Sequence, residues 1–483
     1  MFRRPKVGLE FGRHPASCAN NASQSNKSSG RMSKPGIIAG VAITALIGGV
    51  IAVFAVAWRP AIEAIEPPVP QSFEPALVRR GRDLAAIGNC SDCHTVPGGK
   101  AFAGGLAVPT PFGTIYSSNI TPDPDTGIGR WSEAAFRRAM RSGVDRAGHH
   151  LYPTFPYDHF TNVTDEDDRA LYAFLMTRSE VRAPDRANDL SFPFNQRFVV
   201  AGWKLLFLKG GTYKADDTQS AEWNRGAYLV EGLAHCGACH TPRNALGAEK
   251  ADASFSGGDV DNWHAYAINA QSPSPLPWTS DALFHYLRQG WDSDHGVARG
   301  PMAEVAANLS SVPESDVRAI ALYMGSVFGT PTPARAGEAS TAHVDIKSPH
   351  AQSAPADSAG APIYRAACAT CHESDRPLPY SGINLRLSTA VNAPDPRNAA
   401  NVILSGIRPV GGERGPIMPG FANSMTDEQI IALLNYLRGR FSTHPAWTGV
   451  EQIVRDARHT ETVSLTSPGS DNTSSGSMQQ EKP

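Results

Sequence analysis

The alternation of apolar and polar positions repeats along this chain. Thr164-Asp-Glu-Asp167 leads into Leu171, Tyr172, Phe174 and Leu175; Pro313-Glu-Ser-Asp316 leads into Val317, Ile320, Ala321 and Tyr323; Thr426-Asp-Glu-Gln429 leads into Ile430, Leu433, Leu434 and Leu437. Each is an N-terminal cap signal followed by apolar residues at spacings of three and four, which predicts three amphipathic helices. Each helix closes a stretch that also opens alike. Leu77-Val-Arg-Arg80-Gly81-Arg-Asp-Leu-Ala-Ala runs to Cys90, Asn224-Arg225-Gly226-Ala-Tyr228-Leu229-Val230 runs to Cys236, and the shorter Ile363-Tyr364-Arg365-Ala-Ala runs to Cys368. Behind the first two cysteines come Phe102-Ala-Gly104-Gly105 and Phe255-Ser-Gly257-Gly258, whose glycines either let backbone approach a flat ligand or simply turn the chain. The repeat predicts a mainly α fold of three tandem domains, over 75–180, 223–328 and 363–442.

Between and around the copies the composition shifts. Residues 36–58 carry no charge and, at 1.5 Å per residue, make a helix of about 34 Å, enough to span a membrane. Before them stand Arg3, Arg4, Lys6, Arg13, Lys27, Arg31 and Lys34 against Glu10, so residues 1–35 read as a disordered basic leader on the cytoplasmic side, with everything after Trp58 exported. Ala55-Val56-Ala57 also fits a cleavage site, so the segment is a transmembrane anchor or a signal peptide. Residues 181–222 form a connector whose apolar run, Phe198 to Leu208, lies on the membrane surface or a neighbour, or packs on the first domain. The Pro-, Ala- and Ser-rich residues 329–362 and the polar residues 443–483 read as a flexible linker and a disordered tail.

With 44 Lys plus Arg against 46 Asp plus Glu in 483 residues, the formal charge is -2, and no polybasic field points to nucleic acid. The cysteines change the picture most. Six of the seven form three pairs, each followed by histidine: Cys90-Ser-Asp-Cys93-His94, Cys236-Gly-Ala-Cys239-His240 and Cys368-Ala-Thr-Cys371-His372. This is the c-type haem attachment pattern, with two thiols for thioether bonds to the haem vinyl groups and an imidazole for the iron. Zinc is the competing use of such pairs, but it needs two further ligands, commonly a second pair or two histidines. Three covalent haems, with His94, His240 and His372 as proximal ligands, are therefore expected. Cys18, in the leader, is an unpaired bystander.

The sixth iron ligand separates electron transfer from catalysis, because a Met sulfur raises the potential and closes the iron. Met302, in Gly300-Pro301-Met302, and Met418, in Ile417-Met418-Pro419-Gly420, each stand just before a closing helix and are the expected distal ligands; Met425 is the alternative to Met418. The first copy has Phe155 at this place, in Leu151-Tyr-Pro-Thr-Phe155-Pro-Tyr157, and phenylalanine cannot bind iron. His150, His159, His149, Met140 and Met176 are the candidate replacements, and an open first haem is the alternative.

These features together resemble the triheme cytochrome c subunits of membrane-bound periplasmic dehydrogenases, which act on alcohols, aldehydes, gluconate, sorbitol or nicotinate. The resemblance covers roughly residues 75–440. It rests on the haem motifs and on Arg80-Gly81, Asn119-Ile-Thr-Pro-Asp123, Trp131, Tyr152-Pro-Thr-Phe155-Pro-Tyr157, Tyr228-Leu-Val230 and Cys239-His240-Thr-Pro-Arg243 in order. Family members usually carry Met where this chain has Phe155. The resemblance implies class I cytochrome c-like domains with long haem-wrapping loops, at the periplasmic face of a bacterial inner membrane. It implies electrons taken from a separate quinoprotein, flavoprotein or molybdenum hydroxylase subunit and passed to ubiquinone or a terminal oxidase. The chain itself has no dinucleotide fingerprint, Walker loop or nucleophile elbow, so it is expected to lack a catalytic domain. A cytochrome subunit of a terminal oxidase, or a haem enzyme with an open first haem, are the alternative readings.

Overall fold

The computed structural model describes residues 48–49, 57–329, 358–374, 376, 378–409 and 415–466. Contacts divide the chain into Met1–Val56 and Ala57–Pro483, and all three cysteine motifs belong to the second unit. The leader with Cys18, nearly all of the apolar segment 36–58 and most of the linker 329–362 lie outside the described residues. Among the described residues no helix is long and apolar enough to cross a membrane.

Most of the regular structure is helical, and three stretches follow one another. The first contains α1 (Pro75–Ile87), α2 (Cys90–His94), the antiparallel pair β1 (Ala107–Thr110) and β2 (Gly113–Tyr116), α3 (Glu133–Ser142), α4 (Tyr157–Phe160) and α5 (Asp165–Met176), then β3 (Asp189–Leu190) and α6 (Arg197–Phe207). The second contains α7 (Ala221–Tyr228), which continues through a π turn at Leu229–Leu233, α8 (Gly237–His240), the hairpin β4 (Gly258–Val260) and β5 (Trp263–Ala265), α9 (Ser280–Gln289), the pair β6 (Trp291–Asp292) and β7 (Gly296–Val297), α10 (Pro301–Ser310) and α11 (Glu314–Phe328). The third contains α12 (Gly360–Ala367), α13 (Ala369–His372), α14 (Thr389–Asn392), α15 (Arg397–Ser405), α16 (Asp427–Phe441) and α17 (Val450–Thr466).

The predicted closing helices are α5, α11 and α16. The Thr164 side chain accepts the Asp167 amide, and Thr426 and Gln429 form a reciprocal capping box, so two of the three begin as their cap signals require. Each closing helix crosses the opening helix of its stretch: α1 on α5, α7 on α11, α12 on α16. All three crossings depend on a glycine. A Cβ at Gly81, Gly226 or Gly360 would run into the carbonyl oxygen of Ala170, Ala319 or Ala432, so only a residue without a side chain lets the backbones approach this closely. In the first two crossings the preceding arginine clamps the partner helix, with Arg80 Nε 2.7 Å from Asp167 and Arg225 Nε 2.8 Å from Asp316. Asp167, 1% exposed, also accepts from the Tyr228 hydroxyl at 2.7 Å, which ties the first stretch to the second.

The apolar residues form two large cores. Leu84, Ile87, Leu171 and Phe174 of the first stretch share one core with Leu229, Leu233, Val317 and Ile320 of the second. Tyr364, Leu404, Ile430 and Leu433 of the third build another.

Three expected boundaries change. The connector 181–222 is largely part of the first stretch, because β3 pairs with β2 (Gly113 opposite Leu190), and the Val181 and Ala183 carbonyls accept from Asn119. The tail expected over 443–483 is not all irregular: α17 packs Val450, Val454 and Ala457 into the third core beside Trp447. Its few apolar residues fall at four- and three-residue spacing inside a polar segment, and Arg458 holds it through Asp427 Oδ1 at 2.5 Å and the Met425 carbonyl at 2.8 Å. The opening helix of the third stretch starts at Gly360, inside the expected linker.

Candidate haem sites

Each cysteine pair and its histidine sit at a short helix, α2, α8 and α13, which follows the opening helix of its stretch directly. In all three the imidazole is oriented identically. Nδ1 lies 2.7 Å from the Ser118 carbonyl for His94, 2.7 Å from the Tyr266 carbonyl for His240 and 2.8 Å from the Ile383 carbonyl for His372. A carbonyl only accepts, so Nδ1 donates, and the lone pair is left on Nε2, as a metal-binding histidine needs. Burial holds all three imidazoles below their ordinary pKa, with the carbonyl bonds opposing it, which favours the neutral form. Burial likewise pushes the thiols of Cys90 and Cys236 up to about 12 and those of Cys239 and Cys368 to about 11. Among the described residues no cysteine pair has the further ligands that zinc needs gathered beside it.

The loops that present these carbonyls repeat as well. Phe102 and Phe255 both take positive φ, 62° and 58°, and their amides donate to the Thr95 and Thr241 hydroxyls at 3.1 Å. The Gly104 amide donates to His94 O and the Gly257 amide to His240 O, each at 2.7 Å. A Cβ on Gly104 would collide with the Ser118 backbone, so this glycine serves a close chain crossing and a turn. The third loop is shorter, with Ile383 only 11 residues from His372.

A continuous cavity of about 340 Å³ is lined by Cys236, Cys239 and His240 together with Cys368 and His372. Met302 and Met418, the expected distal ligands, both line it, whereas Met425 packs beside the third core. Ile87 and Asn89, just before Cys90, reach the same cavity, and Asn308 of α10 donates to Asn89 and Asp92 at 2.9 Å, so the first motif abuts the second site.

The cavity is apolar except at a few points, one of which is His295. Its Nδ1 lies 2.7 Å from Asp292, its ring stacks on Trp278 at 3.8 Å, and its buried Nε2 has no partner. An unpartnered buried nitrogen costs about 1–3 kcal/mol and marks a place for a polar substituent. A haem is a largely apolar ring, and the apolar lining of this cavity suits it. Residue patterns did not single out His295, because a histidine in a hairpin turn carries no motif, and the three orienting carbonyls are backbone groups with no sequence signal.

At the first site Phe155 packs against Tyr157 and Phe160, with ring centroids 6.5 and 5.3 Å away. Of the candidate replacements, His150 donates from Nε2 to the Ala57 carbonyl at 2.8 Å and accepts from Lys204 on Nδ1 at 3.1 Å. His159 uses Nδ1 on the Glu231 carbonyl at 3.0 Å and Nε2 on Glu249 at 2.8 Å. Neither has a nitrogen left for iron. His149 is bound to Asp145, and Met140 and Met176 are buried in the shared core.

Helical haem-motif stretches with oriented histidines define a c-type cytochrome, a protein that carries covalently bound haem c. The family model "Cytochrome c" matches residues 78–179, and "Cytochrome C oxidase, cbb3-type, subunit III" matches 355–437. The chain is 36% identical to the fructose dehydrogenase cytochrome subunit of Gluconobacter japonicus, over 83% of this chain and 87% of that one. It is 34% identical to the cytochrome c subunit of the quinone alcohol dehydrogenase of Gluconobacter oxydans, over 76% and 79%. It is 48% identical to a nicotinate dehydrogenase subunit of Pseudomonas putida over 86% of this chain, and spans about a third (34%) of that larger protein. The chain belongs to the family of cytochrome c subunits of dehydrogenase complexes, and its function is electron transfer.

Proposed function

We propose that the chain is a triheme electron-transfer subunit, with the centre of one cytochrome domain in each of 75–180, 223–328 and 363–442. Haem would be held by Cys90 and Cys93, Cys236 and Cys239, and Cys368 and Cys371, with His94, His240 and His372 as proximal and Met302 and Met418 as distal ligands. The observation that carries this reading is the same Nδ1-to-carbonyl bond at all three histidines. Bound haem supplies one-electron redox chemistry; the chain's own residues orient the ligands and exclude water from the cavity.

Electrons would come from a separate dehydrogenase subunit of the quinoprotein, flavoprotein or molybdenum hydroxylase kind. The higher identity to the nicotinate dehydrogenase subunit favours a partner of that type. They would leave to ubiquinone or a terminal oxidase, with the apolar segment 36–58 holding the haem domains at the periplasmic face of the inner membrane. The intact mass of the mature chain, made with a working cytochrome maturation system, tests the count: three haem masses above the polypeptide are expected, and two or fewer would overturn it.

A second reading, a first haem with an open iron that reacts with small molecules, is favoured by Phe155 and by the occupied nitrogens of His150 and His159. Rapid cyanide binding by one high-spin haem in three would support it.

A further inference from the structure

Electron transfer leaves one surface feature unused. α6 is buried on one side only: Val200 and Ala201 pack inward, while Phe198, Leu205 and Leu206 are 55%, 70% and 69% exposed. Phe192, four-fifths exposed, precedes the helix, and Leu246 adjoins it, its carbonyl accepting the Trp203 indole N–H at 3.0 Å. Trp58 belongs to the same region. His150 donates to the carbonyl of Ala57, while Arg197 and Lys204 of α6 reach the His150 carbonyl and Nδ1 at 2.8 and 3.1 Å. One buried imidazole thus pins α6 to the point where the apolar segment 36–58 ends. Nine large apolar side chains are exposed among the described residues, and six of them gather here. Such clustering is not what scattered surface apolars produce.

Charge and position together favour one occupant. Residues 190–215 contain Arg197, Lys204, Lys209 and Lys214 and no Asp or Glu, with Asp189, Asp216 and Asp217 at their borders; Arg197 and Lys204 are bonded to His150, and Lys209 and Lys214 are exposed. An amphipathic helix with cationic and aromatic residues, held at the end of a membrane-length apolar segment, has the composition of an interfacial helix. We propose that α6 lies flat on the bilayer, with Phe198, Leu205 and Leu206 in the headgroup–acyl boundary of anionic lipid. It rests on the reading of 36–58 as an anchor, and extends it: the anchor tethers the chain, whereas α6 sets which face of the first cytochrome stretch meets the membrane.

The test is photocrosslinking in native inner membranes, with the full haem-loaded chain carrying p-benzoylphenylalanine in place of Leu206, or of Tyr380, which is 79% exposed, as reference. A lipid adduct about tenfold stronger at 206 than at 380 is expected, because only a residue at the acyl boundary is surrounded by lipid. Adding L205E while the probe occupies 206 should reduce it severalfold. Adducts to the dehydrogenase subunit or to a second copy, or no adduct in a chain with full haem content, would overturn the proposal. Retention in the pellet after a carbonate wash reads the anchor separately. A retained chain without lipid adducts refutes α6 alone, and a washed-off chain that still gave lipid adducts refutes the anchor alone.

Discussion

His159 Nε2 lies 2.8 Å from Glu249 Oε1, joining α4 of the first stretch to the loop behind the second haem motif. Burial opposes charge on this imidazole, but the Glu249 hydrogen bond and charge, Asp158 and the Glu231 carbonyl outweigh it and raise its pKa from 6.5 to about 9. Burial also opposes the Glu249 carboxylate, and His159 and Arg243 overcome it to hold its pKa below the ordinary 4.5. The stabilisation from His159 is therefore complete below pH 6.5 and is lost as pH rises through about 9; that from Glu249 is present above 4.5 and is lost as pH falls below it. E249Q is expected to destabilise the haem-loaded protein by about 3 kcal/mol near pH 6, since breaking a buried pair strands the other charge. Denaturant unfolding of both chains checks this, and a wild-type advantage that stays constant from pH 6 to beyond pH 9 would contradict the ion pair.

Met302→Ala and Met418→Ala should each lower the potential of one haem by on the order of 0.1 V, within the ~0.8 V that axial ligands command, and give that haem high-spin character. A redox titration that resolves the haem components, read beside the spin state, is the measurement. An unchanged titration removes the substituted residue from the ligand set.

Phe155→Met offers a thioether where the first stretch has a ring packed on Tyr157 and Phe160. The first haem should turn low-spin and rise in potential by on the order of 0.1 V. No change in spin state would mean that another residue already occupies that iron.

The crossings at Gly81 and Gly226 leave no room for a side chain against Ala170 and Ala319. Gly226→Val should cost at least about 3 kcal/mol, the upper end of overpacking, because backbone rather than a movable side chain is in the way. Reduced haem incorporation and an earlier unfolding midpoint are the readouts. A Val on an exposed helix position serves as the control.

Whatever chemistry runs in contiguous residues was legible before any fold was known. Cys-x-x-Cys-His is complete within five positions, and the caps at Thr164 and Thr426 act within one turn, so neither depends on distant chain. Helix α17 escaped because Val450, Val454 and Ala457 are too sparse in a polar segment to stand out until the third core receives them.

By itself, then, the amino-acid order determined that this protein carries haem c and repeats one helical unit, because thioether attachment and helix capping are local. Only the tertiary structure decided that His94, His240 and His372 offer Nε2, that His150 and His159 have no nitrogen to spare, and that the first two stretches share one core. Those outcomes depend on backbone carbonyls and buried charges brought together from 11 to more than 90 residues away. Such partners carry no side-chain signature that periodicity or spacing could reveal.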